Sequence, residues 1–98
     1  MPEPPIHLSL TDLAREAGEG YELAFFGLLE SRLRRVAGSH AARLEIHELS
    51  PCLKLLGGRR GGRVYREGLR GEIVGFIREF GVRAGGDRSG EPLEIRVR

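Results

Sequence analysis

The sequence predicts a small α+β domain: a two-layer sandwich with a three- or four-stranded antiparallel or mixed sheet and helices on one face. Three observations carry that expectation. Residues 41–49 and 92–98 alternate apolar and charged side chains with the period of a strand. Residues 21–37 and 67–80 repeat apolar side chains every three or four positions, the period of a helix. The chain has 98 residues, 40% of them apolar, which is enough for one domain with a modest core. A split β-α-β order taken twice, the ferredoxin-like plan, is compatible with the spacing.

Taken in order, residues 1–5 (MPEPP) hold three prolines and are expected to form a flexible arm. Ile6, Leu8 and Leu10 alternate with His7 and Ser9, which predicts a short strand. A helix over residues 12–17 follows, with Ser9 or Thr11 as its N-cap and Gly18 and Gly20 as its end. The 21–37 segment is read as a helix closed by Gly38, with a short strand over 23–26 as the alternative. In residues 41–49, Leu44 and Ile46 are expected to face inward and Arg43, Glu45 and His47 outward.

Ser50-Pro51 breaks that strand, and the apolar run Cys52–Leu56 fits either a second strand or one helical turn. A third strand would have to come from residues 53–56 or 63–65. Residues 57–63 (GGRRGGR) are expected to form a mobile loop, since glycine costs backbone entropy and offers nothing to bury. Residues 67–80 make the clearest helix, with Leu69, Ile73, Ile77 and Phe80 on one stripe and Gly81 as its stop. Gly68, Gly71 and Gly75 within it suggest close approach of another element. After a loop over 84–90, residues 92–98 give the final strand, Leu93, Ile95 and Val97 inward.

Charge is unevenly spread. Net charge is +2, but residues 1–49 carry −3 and residues 50–98 carry +5. Fifteen of the 16 basic residues are arginine, an excess attributed to a GC-rich genome and consistent with a heat-adapted host, so only local clustering bears on function. The cluster is local. Residues 54–70 hold Lys54, Arg59, Arg60, Arg63, Arg66 and Arg70 against one acid, Glu67, for +5 over 17 positions. Guanidinium groups grip phosphate bidentately, so these six residues are the candidate nucleic-acid contacts. A solvated loop tip is the simpler reading of the same segment. Tyr65 is the one aromatic nearby, which leaves little for base stacking.

Gly58-Arg59-Arg60-Gly61 resembles the Gly-x-x-Gly loop of KH domains, which clamps four backbone nucleotides. The resemblance covers four residues. It implies a helix on each side of the loop, and the Ser50-Pro51 break argues against a helix before it.

Other chemistry finds little support. The histidines His7, His40 and His47 and the lone Cys52 form no metal-ligand spacing, and no phosphate-cradling motif or nucleophile–base pair is visible. No catalytic residue, metal or cofactor is therefore assigned. Glu45, His47 and Glu48 read as a solvated strand face. One cysteine allows no internal disulfide, and the absence of a long apolar run or export signal points to a cytoplasmic chain without a membrane span.

Residues 23–29 (LAFFGLL) are apolar at six of seven positions, more than one helical stripe can use. Phe25, Phe26 and Leu29 are accordingly the candidate interface with a second copy or a protein partner. The edge of the last strand is a further pairing surface, blunted by the charge of Arg96. The functional expectation is a self-associating structural or regulatory interaction module without catalysis. The alternative is an RNA- or DNA-binding protein that uses the basic Gly/Arg loop.

Overall fold

The computed structural model describes residues 4–18, 21–39, 41–57, 62–87 and 93–98. Three strands, β1 (Ile6–Ser9), β2 (Arg43–His47) and β3 (Glu94–Val97), form one sheet in the order β1-β2-β3. Two helix pairs connect them: α1 (Leu10–Ala17) with α2 (Glu22–Ala37), and α3 (Leu49–Gly57) with α4 (Arg63–Asp87). Both ladders are parallel, not antiparallel or mixed as expected, with Ile6 across from Leu44 and Leu44 across from Ile95. A parallel neighbour cannot be reached by a tight turn, because the chain must first travel back along the sheet. Each helix pair makes that return. Crossovers of one hand between strands laid down in sequence order fall on the same face. Contacts of α1 with α3 and of α2 with α4 join the helices into one layer.

The α+β class, the single sheet and the helical layer agree with the sequence. The ferredoxin-like plan does not, since it needs a β-α-β-β-α-β order and the chain runs β-α-α-β-α-α-β. Both candidate third strands, residues 53–56 and 63–65, are helical. Pro51 permits α3 because it lies in the first turn, where backbone N–H groups lack intrahelical acceptors. α4 passes through Gly81 to Asp87 rather than stopping. Its buried stripe, Leu69, Ile73, Ile77, Phe80 and Ala84, continues at spacings of three and four, and that packing outweighs the roughly 1 kcal/mol helix cost of one glycine. Gly81 is the close-approach glycine: a Cβ there would meet Ile95 Cδ1 at 3.4 Å. Gly68, Gly71 and Gly75 face open space instead.

Local signals set the remaining boundaries. Ser9 caps α1, its Oγ accepting from the Asp12 amide at 3.4 Å, and Gly18 closes the helix at a φ of +99°. The core lies between the layers. Leu44 and Ile46 of the central strand are fully buried beneath Leu10 and Leu13 of α1, Phe25, Leu29 and Leu33 of α2, Leu56 of α3, and Ile73 and Ile77 of α4. Phe25 and Leu29 therefore lie inside the chain's own core, and neither presents a surface to a partner. Phe26 is half-buried against Phe76, ring centroids 5.4 Å apart. The excess apolar character of residues 23–29 is largely absorbed this way, with Leu23 left exposed.

Two stability outcomes follow from this packing. Phe25→Ala removes the largest fully buried side chain, and urea titration is expected to show a loss of about 3–5 kcal/mol. Gly71→Ala and Gly75→Ala put a methyl into open space on a helix, and each is expected to raise stability by about 0.5–1 kcal/mol in the same titration.

Candidate functional site

The basic residues singled out in the sequence belong to the α3–α4 hairpin. Two contacts show that the helices run antiparallel. Near the start of α3, Ser50 Oγ accepts from the Arg70 guanidinium at 3.1 Å. At its end, a Cβ on Gly57 would come within 3.3 Å of the Tyr65 ring, so α3 and the first turn of α4 are in direct contact. Ser50 and Lys54 are one turn apart on α3, as are Arg70 and Arg66 on α4, and such pairs share a helix face. The antiparallel register then sets Lys54 level with Arg66, next to the pair Ser50 and Arg70. Arg63 opens α4 one turn further towards the connection, exposed like Lys54.

Four of the six candidate residues thus form a ridge along one hairpin. Arg59 and Arg60 lie outside the described residues, in the connection that the ridge flanks. Gly57 and Arg63, the expected ends of the loop, are helical. Arg70 also approaches Glu67, at 3.9 Å. Arg96 and Arg98 do not join the ridge. They turn to the helix-free sheet face, Arg96 to Glu94 at 3.1 Å and Arg98 to Glu45 at 3.9 Å.

Lys54, Arg63, Arg66 and Arg70 outnumber the one acid among residues 54–70, Glu67. A helix N-terminus carries roughly half a positive charge from its unpaired N–H groups, which acids in the first turn normally offset. The first turn of α4 has no acid and instead carries arginine. Positive side chains and a positive helix end therefore accumulate at one place, and an anion there is stabilised by both. Tyr65 offers no open stacking platform, because its ring lies on Gly57 and its hydroxyl donates to the Glu22 carboxylate.

A second polar cluster was not legible in the sequence. It lies at the carboxyl ends of β1 and β2, the end of a parallel sheet where ligands commonly bind. His7 Nδ1 and His47 Nε2 are 2.8 Å apart, and Ser9 Oγ donates to Glu48 Oε2 at 2.5 Å. These pairs join residues about 40 positions apart, which alternation alone cannot bring into register. Glu48 takes a φ of +67°, unusual for a side-chain-bearing residue, at the turn from β2 into α3. The Ser9 hydrogen bond holds its carboxyl below the usual range. The Thr11 hydroxyl, which makes no full hydrogen bond of its own, and the charges of Arg15 and His47 act in the same direction.

The cluster caps the start of α1 and fixes the β2–α3 turn. Among the described residues no group of three or more metal-ligating side chains forms. Cys52 is buried, and burial pushes its thiol up to about 12, far from a reactive thiolate. Compared with protein-family models, curated proteins and solved structures, the chain matches none.

The lowered carboxyl of Glu48 makes a stabilising contribution that is complete above the ordinary carboxylate range and lost as pH falls through the lowered value. Thermal melts of the wild type should therefore fall more steeply with acidification than those of Glu48→Gln. Glu48→Ala should melt several degrees below Glu48→Gly, because alanine keeps the positive-φ penalty that glycine avoids. At about pH 8 the Cys52 thiol should be inert to a disulfide reagent until denaturant unfolds the chain.

Proposed function

We propose that the chain is a nucleic-acid-binding module that grips the phosphate backbone with the α3–α4 hairpin. The observation that carries this reading is the alignment of Lys54, Arg63, Arg66 and Arg70 beside a connection that contributes Arg59 and Arg60. The helical state of residues 49–57 adds support. The Gly58-Arg59-Arg60-Gly61 segment now joins two helices, which is what its likeness to the KH loop requires.

Guanidiniums along a helix pair can follow successive phosphates, and the positive end of the α4 dipole suits the same ligand. Recognition of this kind reads the backbone rather than base edges, so weak sequence preference goes with it. A second reading, a self-associating interaction module without catalysis, draws support from the outer edge of β3, which no strand among the described residues covers. No described helix is long and apolar enough to cross a membrane.

The test is fluorescence anisotropy with labelled single-stranded and duplex oligonucleotides across a salt series. Neutralising four to six phosphates gives a slope of log affinity against log salt of about −3 to −5. Reversal of Arg59, Arg60 and Arg63 to Glu should abolish binding, and Arg66→Ala should reduce the slope by about one. Binding indifferent to salt, or unchanged by the triple reversal, would refute the reading.

A further inference from the structure

We infer that β3 is a homodimer seam, at which two copies of the chain pair their β3 strands antiparallel about a two-fold axis through Ile95. On the β2 side, the Glu94 amide donates to Ala42, the Arg98 amide donates to Ile46, and the Arg98 carbonyl accepts from Leu49. Because a strand alternates its backbone groups from side to side, the even-numbered residues spend theirs on β2. The N–H and C=O groups of Leu93, Ile95 and Val97 therefore point to the outer edge. β3 ends the sheet order, and no strand among the described residues covers that edge.

A two-fold axis at Ile95 sets Ile95 opposite Ile95 of the second copy and Leu93 opposite its Val97. These are the residues with free outward groups, so each such pair can exchange both backbone hydrogen bonds. The intervening positions place Glu94 opposite Arg96 of the second copy, and Arg96 opposite its Glu94. They occupy the non-hydrogen-bonded sites, where facing side chains come closest, and opposite charges there are favourable. Sequence, edge polarity and charge thus agree on one register. A shift of either strand by two positions breaks this match, since Glu94 and Arg96 can no longer both meet an opposite charge. Arg96, which would discourage indiscriminate pairing at an open edge, selects the matching copy.

The helical side of the seam has an unmet apolar surface. A groove of about 720 Å³ runs between α4 and β3, lined largely by Val74, Ile77 and Val82 together with Leu93, Ile95 and Val97, with Arg78 as its one charged side chain. Val82 is 79% exposed. Extending the sheet with a second copy brings the same apolar residues alongside from the partner, and a self-complementary patch of this kind is what a two-fold interface requires. A peptide added to the edge would also use the backbone groups, but it would not supply the reciprocal Glu94–Arg96 pairs.

The decisive measurement is solution mass by sedimentation equilibrium at about 100 µM chain, where a specific dimer gives twice the mass of one chain. Glu94→Arg and Arg96→Glu should each give a monomer, and the double variant Glu94→Arg/Arg96→Glu should restore the dimer. Ile95→Pro removes an N–H that β2 does not use, so it should also give a monomer, with the circular dichroism of the folded chain retained. Should Ile95→Pro unfold, the charge-swap series decides alone. A wild type that is monomeric at this concentration overturns the inference. So does a dimer that survives either single charge reversal, or a double variant that folds and stays monomeric.

Discussion

The central strand is the constraint from which the other features follow. Leu44 and Ile46 are wholly buried, and both ladders of the sheet hang on the five residues of β2. Burying them needs cover on one face, and parallel neighbours need long returns, so one requirement is met by the same four helices. The first pair supplies Phe25, Leu29 and Leu33 to the core, and the second supplies Leu56, Ile73 and Ile77. Because the helices cover one side, the opposite face carries polar side chains such as His7, Arg43 and Arg96, and among them Glu45 is buried at 7% exposure rather than solvated as expected.

This division explains where the charged groups end up. Along β2 and β3 the odd and even positions are committed to opposite faces, so Arg96 and Arg98 are held on the sheet side and cannot join the hairpin. The arginines of residues 54–70 sit on helices instead and are arranged by helical spacing. Net charge says little about such a molecule. Its basic character is concentrated along one helical pair, while Glu94 and Arg96 remain balanced on the strand.

Much of the architecture was legible in the sequence. Alternation in residues 41–49 and 92–98 identifies both strands and the faces of Leu44, Ile46 and Ile95. Periodicity identifies α2 and most of α4. Strand direction was not legible, because alternation fixes which way a side chain points and not which way the chain runs. α3 was hidden by Ser50-Pro51, which reads as a breaker although proline is harmless in a first helical turn. The same misreading concealed the hairpin, and with it the common ridge of Lys54, Arg63, Arg66 and Arg70. The meeting of His7 with His47 and of Ser9 with Glu48 depends on the parallel register, which no local pattern encodes.

Parallel pairing also shapes how the molecule can assemble. Ile6 meets Leu44 and Arg43 meets Glu94, so the strand contacts close loops of roughly 40 and 50 residues, and among the described residues no β-hairpin nucleates the sheet locally. The helices, with their short-range contacts, can form first. On that ordering β1 and β3 become strands only once a helical layer is there to receive them, and the edge of β3 is among the last surfaces to take shape.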